Sequence, residues 1–358
     1  MKKTSSSHAS IVTDYLVVGG GLAGCVLAWM LHERGLRYVV VDQPSISQAS
    51  RVGAGIINPI SGKRYSSIWN IGAMLPVALR FYAVLEQKFE EAFIREVPTV
   101  RLFGSEEDRT FWHTKRAESQ QFAHFIQQDQ IPRGVQSSFG GLGYSSWHVD
   151  TERVVERLRA WLVSNDDLFE DIFDEQYCTF STDLVQYKHI SAKKVIFCNG
   201  WKAHKSLLWG ELPLSPAKGE LLTVALECAS LDTLLVQGVF LLPLVDGTVR
   251  IGATYEWDDL TDSTSEAAQT ELLRTAQAIF PTEMRVLRHE AGVRPAARDS
   301  KPFLGLHPQH SNCAVVNGFG AKGAVYAPFA AERIISCFEE GAAIPHEISL
   351  VRFSPKNI

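Results

Sequence analysis

Apolar positions along the chain fall into two periods, and their alternation outlines the elements. Ile11–Val18 is a short β-rich run, Leu22–His32 reads as a helix, and Tyr38–Val41 is a second apolar strand closing on Asp42. Residues 71–145 read mainly as helices: ALRFYAVLEQKFEEAF (78–93) places its apolar residues at helical spacing, and the Gly/Ser-rich QSSFGGLGYSS (136–146) reads as a loop. VIFCNGWKAH (195–204) is another apolar strand, ending in Asn-Gly. Residues 205–290 read as strands, with Asp246-Gly247 a hairpin turn between FLLPLV and TVRIGATY. The helix SEAAQTELLRTAQAIF (265–280) is opened by Ser263 or Ser265 and stopped by Pro281. CAVV (313–316) is another strand, and NGFGAKGAVYAPFAAERII (317–335) is a glycine turn feeding a helix. No internal repeat or low-complexity tract interrupts this order.

The first turn carries chemistry. Gly19, Gly21 and Gly24 keep the G-x-G-x-x-G spacing between a strand and a helix, with Leu22 and Ala23 inside it. The three glycines serve the tight turn, the approach of backbone to pyrophosphate, and close helix–strand contact. Asp42, with Gln43 after it, stands about 20 positions on, where an acid would bond a ribose diol. The helix N-terminus offers its N–H groups to phosphate. The spacing predicts a dinucleotide site.

Which dinucleotide is decided further along. SQASRVGAGIINPISGKRY (47–65) is polar, glycine-rich and poor as helix or strand, so Ser50, Arg51 and the backbone of Gly53, Ala54 and Gly55 are expected along a second stretch of extended cofactor. Asn199, Gly200 and Trp201 end one later strand, and Gly318, Phe319, Gly320, Ala321, Lys322 and Gly323 follow another. Three glycine turns at strand ends, spread over 300 residues, suit FAD threaded through a discontinuous domain better than NAD.

Composition narrows the setting. At 358 residues the chain can bury roughly 75% of its unfolded surface without staples. A formal net charge of -5 gives no field for nucleic acid or an anionic membrane. Six cysteines without a C-x-x-C pair read as reduced core thiols, and eleven histidines without ligand spacing predict no metal, His307 and His310 on one loop included. MKKTSSSHAS lacks the apolar region of a secretory signal, and Leu16–Leu31 is broken by four glycines, so a soluble, cytoplasmic protein is expected.

The same residues carry a family resemblance spread over most of the chain. The fingerprint ending in Asp42, SRVGAGIINP (50–59), HVDTERVVERLRAWL (148–162), VIFCNGW (195–201), SPAKGELL (215–222), VFLLPLVDGTVRIGATYE (239–256), GVRPAARDSKPFLG (292–305) and NGFGAKGAVYAP (317–328) resemble the FAD-dependent oxidoreductases of the D-amino-acid oxidase, glycine oxidase and sarcosine oxidase superfamily. RPAARD and GFGAKGAVYAP are also similar to the flavoprotein half of the bifunctional enzyme that trims a carboxymethylaminomethyl group on the tRNA wobble uridine. Lys218 and Glu220 depart from the family's usual Arg and Gln, which bears on the substrate. No cysteine stands where the sarcosine oxidases attach flavin, so noncovalent FAD is expected. The resemblance implies an α/β fold: a discontinuous Rossmann-like FAD-binding domain (10–70, 146–204 and 291–358) with an inserted α+β substrate domain (71–145 and 205–290) that covers the flavin.

Flavin amine oxidation asks the protein to orient substrate and to stabilise charge. The turn 318–323 and the helix after it can favour negative charge on the flavin, and Lys322 either adds a full charge or is a solvated lysine. Arg294, held in Gly-Val-Arg-Pro, can clamp a carboxylate through two parallel hydrogen bonds, as the resemblance also implies; a structural ion pair is its alternative. Arg298 is expected to pair with Asp299 or to line the pocket rim, with contact to substrate as the further candidate role. Tyr255 closes the other side of the pocket or belongs to an aromatic core. Asn58, Lys63, Arg64 and Tyr65 follow the segment expected under the flavin, and the two cations suit an anionic substrate or a solvated loop. The leading reading is oxidation of the C–N bond of an amino acid or secondary amine by hydride transfer to flavin N5. Action on a modified tRNA nucleotide, which the net charge does not favour, and flavin binding without turnover are the alternatives.

Overall fold

The computed structural model describes residues 10–43, 49–62, 65–118, 125–127 and 131–353. They form two compact units, Met1–Ile46 with Val154–Ser215 and Pro295–Ile358, and Ser47–Arg153 with Pro216–Arg294. Segments 47–70 and 146–153 thus cluster with the second unit, apart from the rest of the segments expected to form the cofactor domain.

The first unit is built on a sheet of β1 (Ile11–Val18), β2 (Tyr38–Asp42), β8 (Leu168–Glu170), β9 (Cys178–Phe180), β10 (Val185–Tyr187), β11 (Ile190–Phe197), β17 (Phe303–Leu306) and β18 (Cys313–Asn317). Its order is β17-β18-β11-β1-β2-β8, with β10 and β9 branching from β11. β1 runs parallel to β2 and β11, β11 to β18, and β2 to β8. Tyr15–Val18, Val39–Val41, Val195–Phe197 and Val315 are all but inaccessible, the continuous apolar runs that a sheet covered on both faces requires. Helices α1 (Leu22–Glu33) and α7 (Gly323–Glu340) pack against one another, and α5 (Thr151–Ser164) brings Trp161 to within 4.8 Å of Trp29, ring to ring. Strand order reverses between β1 and β11, so a crevice at their carboxyl ends is the topological switch point.

The second unit holds the sheet β16-β12-β15-β14-β13-β6-β7-β3. Its strands are β3 (Ile56–Ile57), β6 (Ile94–Leu102), β7 (Gly141–Val149), β12 (Ala217–Leu226), β13 (Leu234–Gln237), β14 (Val239–Pro243), β15 (Val249–Gly252) and β16 (Met284–Arg294). A separate ribbon pairs β4 (Ile60–Ser61) with β5 (Ser66–Ser67), and the helices are α2 (Ala49–Val52), α3 (Ile71–Phe89), α4 (Glu106–Glu118) and α6 (Glu266–Ile279). Helix α6 starts at Ser265, whose hydroxyl accepts from Ala268 N at 3.2 Å, and ends before Pro281. It seats Leu272, Ala276 and Ile279, spaced four and three apart, on Leu222, Val224, Leu241, Val249 and Ile251. Burying its Leu and Ile contributes about 1.5–3 kcal/mol each, and Ser265→Ala would remove a cap worth about 1 kcal/mol.

Residues 71–145 depart from the mainly helical expectation. β6 and β7 pair antiparallel from Ile94↔Val149 to Leu102↔Gly141, and the end of the expected glycine-serine loop, Gly141 to Ser146, is the first two thirds of β7. Small residues suit this position because β7 is buried along nearly its whole length, Ser146 at 0% exposure. No helix among the described residues is long and apolar enough to cross a membrane.

Candidate functional site

In the first unit, three glycine turns leave the carboxyl ends of adjacent parallel strands. Gly19 follows β1 at φ +104°, and a Cβ there would stand 2.6 Å from the carbonyl oxygen of Cys198, which follows β11. Gly21 is the N-cap of α1 and supplies no side-chain cap. Leu22 is buried and Ala23 half-buried; a Cβ on Gly24 would lie 1.8 Å from Gly19 O, which only glycine permits. After β11, Asn199 keeps a buried Oδ1 without a hydrogen-bond partner, Gly200 takes φ +58°, and Trp201 stacks on His204.

The third turn is tied to the second. Asn317, at the end of β18, donates from Nδ2 to Gly200 O at 2.8 Å and accepts from Gly318 N at 2.8 Å. A Cβ on Gly318 would meet the ring of Phe303 at 2.7 Å. Phe319 is buried, Gly320 has φ +53° and donates to Pro295 O, Ala321 is exposed, and Gly323 opens α7. Lys322 is the N-cap of α7; its Nζ lies 3.4 Å from Ser300 O, and burial lowers its pKa.

Asp42 ends β2 as expected, but it is engaged. Arg159 of α5 donates from Nη1 to Asp42 Oδ2 at 2.5 Å and to Gly20 O at 3.1 Å. Gly20, outside the fingerprint spacing, makes room for the pair, since its Cβ would lie 2.4 Å from Arg159 Nη1. Arg159 escaped the sequence reading because its partners Asp42 and Gly20 lie more than a hundred residues earlier in the chain. Gln43 is exposed. Arg298, also in this unit, is exposed and does not pair with Asp299, whose carboxylate is held instead by Arg352 at 2.9 and 3.2 Å. Arg352 lies 53 residues on, beyond the reach of local pattern.

In the second unit, Ser50 and Arg51 sit in α2, and a Cβ on Gly55 (φ +63°) would come within 1.8 Å of Val149 O. Gly53 O accepts from Thr151 Oγ1 at 3.3 Å, and Ala54 packs against Val97 and Leu242. Asn58 caps its own turn through Ile60 N, and Tyr65 is a core residue donating to Asp108 at 2.7 Å; Lys63 and Arg64 lie outside the described residues.

Arg294 ends β16 in this second unit. Its Nη1 donates to Lys218 O at 3.2 Å and Thr254 O at 3.3 Å, and its guanidinium lies 4.3 Å from the centre of the Tyr255 ring. Burial lowers its pKa, and no carboxylate pairs with it among the described residues. The alternative of a structural ion pair finds no partner among the described residues. Tyr255 is 57% exposed and stacks at 6.1 Å on Trp257, itself 59% exposed, so the aromatic-core alternative falls.

A family model described as FAD dependent oxidoreductase matches residues 14–336. The chain belongs to that family. It is 28% identical over 336 residues to the glycine oxidase of Pseudomonas aeruginosa, a match covering 87% of this chain and 91% of that one. It is 25% identical over 367 residues to the tRNA 5-methylaminomethyl-2-thiouridine biosynthesis bifunctional protein of Marinobacter nauticus, covering 91% of this chain and 56% of that protein. The crystal structure of glycine oxidase from Geobacillus kaustophilus superposes with a TM-score of 0.83 at 20% identity, over 96% of this chain and 100% of that one, which establishes the fold.

As an FAD dependent oxidoreductase the chain has residues of the right chemistry for its cofactor. The first unit offers a helix start without a side-chain cap beside glycines that exclude any Cβ, an acid at the end of the second strand, and a buried amide oxygen on Asn199 that has no hydrogen-bond partner among the described residues. Those features fit the phosphates, a ribose and a polar group of an extended dinucleotide. No group of three or more His, Cys, Asp or Glu among the described residues could hold a metal ion.

Proposed function

We propose that this FAD-dependent oxidoreductase oxidises the C–N bond of a carboxylate-bearing amino acid or secondary amine, and that Arg294 binds the carboxylate. The carrying observation is the state of Arg294: a partly buried cation, fixed through one nitrogen by two neutral carbonyls, with no acidic partner among the described residues. Withdrawing a charge from water without compensation is costly, and a substrate carboxylate would restore the missing partner through a charge-assisted bond. The 28% identity to a glycine oxidase supports an α-amino carboxylate as the substrate class.

FAD, when bound, would supply the hydride acceptor for oxidation of the substrate C–N bond. Gly19, Gly21, Leu22, Ala23 and Gly24 would hold its phosphates, Asp42 a ribose, and Asn199, Gly200 and Trp201 the neighbouring length of the cofactor. The backbone N–H groups of Ala321 and Gly323 and the start of α7 favour negative charge on the cofactor, which Lys322 reinforces. Cys313 is fully buried and its thiol pKa is pushed up by burial, which supports noncovalent attachment.

A second reading follows from the match to the tRNA-modifying protein across 91% of this chain. There the same guanidinium would hold the carboxylate of a carboxymethylaminomethyl group presented on a nucleotide. Both readings are tested by titrating the FAD-loaded protein with glycine, sarcosine and carboxymethylaminomethyluridine, before and after Arg294→Ala. Loss of a charged hydrogen-bonded partner costs about 2–5 kcal/mol, so the effective ligand should bind at least about thirtyfold more weakly to the variant. Unchanged affinity would rule Arg294 out as the clamp.

A further inference from the structure

Lys218 and Glu220, the two departures from the family's usual Arg and Gln, are both buried on β12. The Lys218 side chain is 4% exposed and its Nζ lies 2.5 Å from Asp259 Oδ2 and 3.9 Å from Glu220 Oε1. The Glu220 carboxylate, 6% exposed, accepts from Ser265 N at 2.9 Å and Ser265 Oγ at 3.1 Å, with His289 Nε2 at 2.8 Å. Their backbones act on the same stretch of chain. Lys218 N donates to Glu256 O at 2.8 Å and Lys218 O accepts from Glu256 N at 3.1 Å, while Glu220 N donates to Thr254 Oγ1 at 2.9 Å. Positions 218 and 220 therefore fasten residues 254–265 at four points: Thr254, Glu256, Asp259 and Ser265.

That stretch is what orients Arg294. Thr254 O receives one of its two hydrogen bonds, Tyr255 supplies the ring against its guanidinium, and the other bond goes to Lys218 O itself. Asp259 also takes up the charge of Lys218, while no carboxylate pairs with Arg294 among the described residues.

We propose that Lys218 and Asp259 are positioning residues for the carboxylate clamp: their ion pair holds residues 254–265 where Thr254 and Tyr255 fix the guanidinium of Arg294. This rests on the reading of Arg294 given above. A bond between a buried ammonium and a half-exposed carboxylate is a one-point latch, and releasing it frees the middle of the segment while the backbone ladder of β12 remains.

The test uses the FAD-loaded protein with Lys218→Met, Asp259→Asn, the double variant and Lys218→Arg. Amide hydrogen exchange across 254–265 should quicken about tenfold in both single variants, with exchange in β1 and α1 unchanged. With whichever of glycine and sarcosine reduces the flavin, half-saturation should rise about tenfold in each single variant while the limiting rate of reduction stays within about twofold. The double variant should be no worse than either single one, and Lys218→Arg should restore most of the loss. Unchanged exchange in 254–265, additive losses, or a fall in limiting rate without a change in half-saturation would each overturn the positioning role. Arg294→Ala separates the two failures: no effect from it defeats the clamp, whereas an effect from it but none from Lys218→Met defeats only the latch.

Discussion

The guanidinium of Arg294 lies against the backbone of Gly219, so closely that a Cβ at that position would stand 2.0 Å from Nη2 and 2.3 Å from Cζ. Gly219 pairs with Gly292 on the neighbouring strand, two residues before Arg294, so the cross-strand register sets the guanidinium over it. Gly219→Ala should therefore displace the clamp while leaving the ladder intact. The expected outcome is weaker substrate binding, about tenfold or more, with unaltered FAD retention; equal binding by the variant would show that Arg294 tolerates the shift.

A second expectation concerns the cofactor. Arg159 neutralises Asp42 and ties it to Gly20 O. With Arg159→Leu, Asp42 would meet the cofactor as an uncompensated carboxylate, and FAD affinity should fall about tenfold, roughly 1.4 kcal/mol. Fluorescence titration of apoprotein with FAD measures it. The loss should not add to that of Asp42→Asn, because the two side chains act as one unit.

His148 on β7 gives a pH dependence. Burial is the main cause that lowers its pKa from 6.5 to about 4, with Arg95 and Arg250 adding repulsion and Asp150 opposing them. The folded protein thus holds His148 neutral where the unfolded chain would protonate it. Stability contributed this way is complete above about pH 6.5 and is lost progressively as pH falls towards 4, by about 3 kcal/mol at most. Denaturant midpoints between pH 7 and pH 4 should fall less steeply in His148→Gln than in the native chain.

Much of the cofactor end was legible because it is local. The fingerprint glycines, Asp42 and the turn at 317–323 each sit within a few residues of a strand end, and the steric demands on Gly19 and Gly24 are of the kind that spacing encodes. What escaped depends on partners far along the chain. β7 reads as a loop because Gly141, Gly143, Ser145 and Ser146 have no β preference of their own; pairing with β6, some forty residues earlier, makes them a strand. The same holds for Asp299, which local pattern assigns to Arg298 and the fold assigns to Arg352. Lys218 and Glu220 were visible as odd residues, but their burial, and so the reason for their charges, exists only once β12 lies between β15 and β16.

The central claim is that this flavoprotein oxidises a carboxylate-bearing amine held by Arg294. Its most direct test is an anaerobic absorbance titration of the FAD-loaded protein with glycine, sarcosine, D-amino acids and carboxymethylaminomethyluridine. The account predicts that one of these bleaches the flavin bands, and that Arg294→Ala raises the concentration needed by about thirtyfold or more. Bleaching by none of them, or equally by an amine without a carboxylate, would contradict it.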